Sequence, residues 1–255
     1  MTLTDPFSML SAAKNILHSD RASAVALGQK AVACFKNEQI LHRISARNAV
    51  LRFGNTETLE AFSREAGAIF WNCFHDFWDQ TSLSCVLHAD GIRFLDLMLH
   101  KGAPPTHLIP AVEIHAKRRN DINLIIWSIQ ARLGAKHDQD ALRLLFHAVS
   151  CCPETKASAL ASCAEDCIHG ASESLVSVFQ EMAEAIDEKV AAVCVLLRAP
   201  PQVIARLCAI DALNAPVKDI LKLGLSRHGQ IEASRREPDL AILIARQSSK
   251  QIMSL

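Results

Sequence analysis

The chain has 255 residues, and half of them are hydrophobic, which is enough to bury the core of one large domain or two small ones. Its basic and acidic residues both number 27, so there is no overall field to attract nucleic acid or an anionic membrane. The first residues lack the basic and apolar regions of a signal peptide, and no stretch approaches the roughly 18 uncharged apolar residues of a membrane span. We therefore expect no membrane partner, and nucleic acid is an unfavourable candidate.

The number and spacing of the cysteines indicate in which cellular compartment the protein works. Nine is an odd number, and their spacing follows no disulfide framework. Such residues pack as small hydrophobic side chains with reduced thiols, which persist in the cytosol and the nucleus. The sequence therefore predicts a cytoplasmic location, or the host cytosol or nucleus if the protein is delivered into another cell. The positions are Cys34, Cys73, Cys85, Cys151, Cys152, Cys163, Cys167, Cys194 and Cys208.

Two helices are predicted near the start of the chain. Apolar residues have helical spacing over 6–18 and 22–35, and Ser19 or Asp20 can cap the second helix. We interpret residues 1–44 as an N-terminal helical cap.

From residue 45 onward the pattern is that of short helices in series. Apolar residues recur at i, i+3, i+4 and i+7 in segments such as 94–99 and 122–129, and glycine, proline or an Asn-Asp pair soon follows each segment. Helix formers dominate, and alternating runs rich in valine and threonine do not occur. This composition predicts an all-α protein.

A repeated dipeptide marks the ends of these helices. Four of the nine glycines are followed by alanine, and the pairs are separated by 35, 32 and 36 residues. Before Gly102 an apolar helix face ends and Lys101 lies in the last turn, so this glycine stands where a left-handed C-cap is needed. The spacing predicts a repeat of about 33 residues in which each pair ends a helix. The pairs are Gly67-Ala68, Gly102-Ala103, Gly134-Ala135 and Gly170-Ala171.

One of these segments, 81–103, resembles an ankyrin repeat. It has Thr81 in the T-P-L-H-type opening, then an inner helix, a turn, a leucine-rich outer helix and a terminal Gly-Ala. Segment 49–68 is similar from the inner helix onward, with Gly54-Asn55 at the turn between the helices. Asn55 is placed to cap the outer helix.

The resemblance implies a curved solenoid of antiparallel helix pairs that extends over residues 45–255. It implies about six ankyrin-like repeats, of which the last is incomplete. The later segments match less completely, and Pro200-Pro201 stands where one Gly-Ala pair is expected. A solenoid of HEAT-like helix pairs is the structural alternative.

A cluster of aromatic residues is the candidate binding surface. Segment 70–78 holds five of the chain's 13 aromatic residues at helical spacing, which suits either a buried stripe or a contact surface. Ankyrin-like proteins project variable hairpins toward the partner after Gly-Ala, and aromatic residues there are natural anchors. We therefore predict a partner-binding ridge beside a basic turn that suits an acidic surface. The ridge consists of Trp71, Phe74, His75 and Trp78, and it is predicted to lie beside Arg93 and the basic turn, which consists of Lys117, Arg118 and Arg119.

Catalytic and metal motifs are missing from the sequence. Cys163, Cys167 and His169 have the chemistry of zinc ligands, but their spacing does not match the common zinc motifs, and small buried side chains explain the pattern. There is no glycine-rich phosphate loop, nucleophile elbow or H-E-x-x-H motif. The sequence therefore predicts no catalytic residue, metal or cofactor. An enzyme whose Cys/His thiol site forms only on folding is the alternative.

These observations predict a scaffold or inhibitor that binds another protein through a helical-repeat surface. Such proteins include adaptors, regulators and effectors targeted to a host cell, and the fold does not choose among them. The repeat half of a larger sensor protein is a further alternative. The apolar end at 251–255 predicts that the chain is part of a longer protein, or that its C-terminal end docks on a partner or on a second copy of the chain.

Overall fold

The computed structural model describes residues 5–36, 44–60 and 91–226, together with residues 231, 233 and 235. Within these residues every regular element is a helix, and no strand is present. The all-α prediction is therefore confirmed for the described part of the chain.

The α-helices are short, from 8 to 15 residues. In chain order they are α1 (Pro6–Ile16), α2 (Arg21–Cys34), α3 (Ile44–Phe53), α4 (Gly91–His100), α5 (Pro105–Arg119), α6 (Ile122–Gly134), α7 (Asp138–Cys151), α8 (Ala157–Gly170), α9 (Ser172–Glu181), α10 (Glu188–Leu196), α11 (Pro201–Cys208) and α12 (Ala215–Leu223). A 3-10 turn, Glu154–Lys156, precedes α8, and residues 56–60 are also helical.

Contacts divide the chain into two compact units, residues 1–115 and 116–255, and the division falls inside α5. In the first unit α1 packs on α2, and α2 packs on α3. The Asp20 carboxylate caps α2 by accepting a hydrogen bond of 3.0 Å from the backbone N–H of Ser23. The two predicted N-terminal helices are thus present. A domain boundary at 44/45 remains a prediction, and α2 packs on α3 across it.

Close packing in the first unit depends on Gly28. A Cβ atom placed on this residue would lie only 2.2 Å from Cγ of Phe53, the fully buried last residue of α3. Because a carbon atom cannot approach a ring so closely, α2 and α3 can pack in this way only if residue 28 has no side chain. Gly28 is therefore fixed by packing and not by a turn.

Several helices of the second unit pack on the next helix along the chain, on the helix two further along, or on both. Thus α6 packs on both α7 and α8, and α7 packs on both α8 and α9. The same relation joins α9 to α11 and α10 to α12. In addition, α7 packs on α10, three helices further along.

Helix α10 lies in the core of this unit. Every residue from Val190 to Leu197 is buried, so the helix has no polar face along this stretch. A helix that is apolar all round is stable only when other elements cover it on all sides. Its charged neighbours, Lys189 and Arg198, lie at the two ends of the buried stretch.

Among the described helices, four end in the same way, with one residue in the left-handed conformation. The backbone N–H of that residue donates to the carbonyl three residues earlier, and the next N–H donates to the carbonyl five residues earlier, which is the Schellman motif. At Gly102, for example, the bonds to Leu99 and Met98 measure 3.1 and 2.9 Å. The four left-handed residues are Gly102 (φ 95°), Asn120 (φ 49°), Lys136 (φ 60°) and Arg198 (φ 56°).

In two of these turns the left-handed residue is followed by the same three residues. Gly102 is followed by Ala-Pro-Pro and the start of α5, and Arg198 is followed by Ala-Pro-Pro and the start of α11. Both alanines are buried, and both second prolines occupy the first helical position, where no N–H is needed. The Gly-Ala position that the sequence placed at Pro200-Pro201 therefore has its equivalent at Arg198-Ala199.

The predicted repeat glycines differ from one another in structure. Gly102 follows α4 and is left-handed, as the sequence indicated. Gly134 and Gly170 are the last residues of α6 and α8, so they also lie at helix ends, but neither has a positive φ. After α6 the left-handed residue is Lys136, two positions later. Gly67 and Thr81 lie outside the described residues.

The turn predicted at Gly54 follows α3. The backbone N–H of Gly54 donates to the carbonyl of Val50 at 2.8 Å, and helical residues resume at 56–60. Asn55 caps this second segment, because its side-chain oxygen accepts a hydrogen bond of 2.9 Å from the backbone N–H of Thr58. In return the Thr58 hydroxyl accepts a hydrogen bond from the N–H of Asn55 at 2.8 Å. The reciprocal pair resembles a capping box and confirms the predicted cap.

The described connections give no evidence of ankyrin repeats. After Gly102 the next helix starts at Pro105, after Gly134 it starts at Asp138, and after Gly170 it starts at Ser172. These intervals are too short for a projecting hairpin after Gly-Ala. Helices in series are thus established for the described residues, whereas a solenoid of ankyrin-like repeats is not.

Candidate functional site

The predicted partner-binding residues lie only partly within the described part of the chain. Trp71, Phe74, His75 and Trp78 lie outside them. Arg93 belongs to α4 in the first unit, where its side chain is exposed. Its neighbour Ile92 is 38% exposed, whereas the next two residues of α4 are fully buried. Arg93 therefore lies on the solvent side of α4, where it is available to a partner.

The basic turn forms the C-terminal end of α5. Lys117, Arg118 and Arg119 are consecutive, all are exposed, and they occupy the last turn of the helix. Cations are stabilised there by the carbonyl groups and the dipole of the helix end. The helix end thus accounts for part of the preference for positive charge at these three exposed positions.

The backbone around the basic turn is tightly organised. Asn120 is left-handed, and the N–H of Asp121 donates to the carbonyl of Ala116 at 3.0 Å. The Asp121 carboxylate then caps α6 by accepting hydrogen bonds of 3.1 and 3.3 Å from the N–H groups of Asn123 and Leu124. Because both flanking helices end in satisfied caps, the three cations are presented from an ordered backbone.

A second polar cluster, which the sequence analysis did not identify, lies on α7. Asp140 accepts hydrogen bonds from Arg132 at 2.9 Å and from Arg143 at 2.8 Å, and His137 Nδ1 lies 3.9 Å from the same carboxylate. Arg143 also donates to Glu181 at the end of α9. This hydrogen bond, reinforced by the attraction of the two carboxylates, raises the pKa of Arg143. The cluster ties α6, α7 and α9 together.

The sequence contained a partial signal for this cluster. Asp140 and Arg143 are three residues apart on one helix face, which is the spacing of an intrahelical ion pair. The partners Arg132 and Glu181 come from other helices, at separations of 8 and 38 residues from their partners in α7. Helical periodicity relates only residues of the same helix, so it could not predict these two contacts.

A polar depression adjoins the cluster at the turn between α6 and α7. Its volume is about 340 Å³, and its lining residues are Lys136, His137, Asp138, Gln139, Asp140 and Ser174. Both signs of charge line this space, and one of its carboxylates is already paired with two arginines. Nothing in this lining selects a particular ligand.

Five of the seven described cysteines have thiols whose raised pKa makes them poor nucleophiles. The hydrogen bond with Cys163, together with burial, raises the pKa of Cys167, and burial raises the pKa of Cys194 to about 12. Burial also raises the pKa values of Cys151, Cys152 and Cys208. A raised pKa keeps a thiol protonated at neutral pH, and the thiolate is the reactive form.

The zinc-like pattern does not converge in space. Cys163 and Cys167 are buried on α8, whereas His169 is exposed. Among the described residues there is no group of three or more histidine, cysteine, aspartate or glutamate side chains that could hold a metal ion. The two cysteines thus pack as small apolar groups, which was the preferred interpretation of the sequence.

The described helices and the comparisons define the class of protein only broadly. In the described part of the chain, no helix is both long and apolar enough to cross a membrane. Comparison with protein-family models, with curated proteins and with solved structures found no match. The chain is therefore placed by its own architecture, as an all-α protein of short consecutive helices.

Proposed function

We propose that this chain is a cytoplasmic protein that binds another protein, as a scaffold or as an inhibitor. In this proposal the basic turn at the end of α5 contacts an acidic surface of the partner. The observation that carries the proposal is the turn itself. Lys117, Arg118 and Arg119 place three adjacent positive charges on the surface of a chain whose net charge is zero. Such a local field attracts and orients an acidic partner.

The architecture in this proposal is a solenoid of helix pairs. One support is the Ala-Pro-Pro sequence that follows both Gly102 and Arg198. The other is that several helices pack on the helix that comes two places later in the chain. The short connections between helices favour plain helix pairs of the HEAT-like kind over ankyrin-like pairs with hairpins. A stacked array of this kind offers an extended surface for a macromolecular partner.

The basic turn alone provides limited affinity. An exposed ion pair contributes up to about 1 kcal/mol, so three such pairs change the dissociation constant by up to roughly a hundredfold. Arginine adds geometric selection, because its guanidinium group can bind one carboxylate through two parallel hydrogen bonds. The remaining affinity is assigned to the predicted aromatic ridge, where a tryptophan anchor typically contributes about 2 kcal/mol or more.

A charge-matched pair of variants tests the role of the basic turn. The test variant carries Lys117→Ser, Arg118→Ser and Arg119→Ser. The control carries Lys156→Ser, Arg206→Ser and Lys222→Ser, which removes the same charge from other exposed positions of the second unit. Partners are isolated from cell lysate with the wild-type protein and identified by mass spectrometry, and their affinities for all three purified proteins are then measured as a function of salt.

We expect the test variant to bind at least about tenfold more weakly than the control and to lose most of the salt dependence. The melting temperatures of both variants are measured in parallel, because basic residues at a helix C-terminus also contribute to stability. Equal affinity of the test and control variants for every partner would contradict the proposal.

The aromatic ridge is tested separately with Trp71→Ala and Trp78→Ala. The expected result is at least about a tenfold loss of affinity with a melting temperature within a few degrees of the wild type. Unfolding of this double variant would instead identify the aromatic stripe as core, and the binding surface would then lie elsewhere on the helices.

A further inference from the structure

We draw no further inference here: the strongest candidate, the polar depression at the turn between α6 and α7, rests on a helix N-terminus and two neighbouring carboxylates, one of them already paired with Arg132 and Arg143, and nothing among the described residues points to a ligand.

Discussion

The junction between α4 and α5 and the junction between α10 and α11 solve one structural problem with different residues. In both, a helix ends on a left-handed residue, a buried alanine follows, and two prolines start the next helix. The hydrogen bonds are equivalent, with the alanine N–H donating to a carbonyl five residues earlier at 2.9 Å in each case. The left-handed residue is glycine in the first junction and arginine in the second.

Glycine is therefore favourable in this turn but is not required by it. A side chain in the left-handed region costs roughly 1–2 kcal/mol, and the two capping hydrogen bonds and the packed alanine can offset that cost. The Gly-Ala dipeptide is therefore an incomplete marker of the turn. Conversely, Gly134 and Gly170 have the dipeptide without the left-handed conformation.

The largest effect is expected at Gly28, where packing and not conformation requires glycine. We expect Gly28→Ala to lower the free energy of unfolding by about 1–3 kcal/mol, because the new methyl group would overlap the buried ring of Phe53. In an open helical position the same change would stabilise by roughly 0.5–1 kcal/mol. Urea denaturation measures the difference.

A double-mutant cycle with Phe53→Leu assigns the cause of the Gly28 effect. The smaller side chain should make room for the methyl group, so Gly28→Ala should cost less in the Phe53→Leu background than in the wild type. If Gly28→Ala proves as stable as the wild type, the close approach of α2 and α3 is not a constraint.

The next effect concerns the junction that has glycine. Gly102→Ala should destabilise by about 1–2 kcal/mol, because its φ of 95° is unfavourable for any residue with a Cβ atom. Gly102→Asn should cost less, because asparagine tolerates the left-handed region better than alanine. Thermal or urea unfolding of the two variants should rank them in this order, and the reverse order would contradict the assignment of the turn.

At the junction between α10 and α11, we expect a substitution of the left-handed residue to increase stability. Arg198→Gly relieves the left-handed side chain, and after allowance for the greater freedom of glycine in the unfolded chain we expect a gain of about 0.5–1 kcal/mol. Arg206→Gly, inside the neighbouring helix α11, is the matched control and should destabilise by a similar amount. A loss of stability in Arg198→Gly would indicate that contacts of the arginine side chain outweigh the backbone term.

A smaller gain is expected where the dipeptide has no left-handed glycine. Gly134 is helical, and a Cβ atom there would meet no atom within 4 Å. Gly134→Ala should therefore stabilise by roughly 0.5 kcal/mol through helix propensity alone. Lys136→Gly, at the true left-handed position of the same turn, should also stabilise. If calorimetry showed that Gly134→Ala is destabilising, glycine would be required at this helix end, as the Gly-Ala dipeptide suggested.

The smallest effect is expected for a contact between side chains, the ion pair of Arg143 and Glu181. Arg143 bridges Asp140 and Glu181, but all three side chains are between 37% and 50% exposed. A double-mutant cycle of Arg143→Gln and Glu181→Gln should give a coupling of only a few tenths of a kcal/mol, which high salt should reduce further. A coupling that persists unchanged at high salt would mean that the bridge is better shielded from solvent than its exposure indicates.

Local sequence was sufficient for the all-α class, for the two N-terminal helices and for several helix ends. Asn55 was recognisable as a cap, and Asp20 was one of two candidates with Ser19, because a cap depends on a side chain and a backbone group only three residues apart. The left-handed Gly102 followed from the end of an apolar face and a basic last turn. The basic turn at 117–119 was also visible directly, since charge at the end of a helix needs no distant partner.

Tertiary structure decided the features that depend on distant parts of the chain. Gly28 is constrained by Phe53, which is 25 residues away, and Arg143 meets Glu181 across 38 residues. Arg198 adopts a left-handed conformation because the chain must turn there into α11, although its own preference opposes it. Periodicity and propensity describe what a residue favours locally, whereas packing and chain path determine which of these preferences the fold overrides.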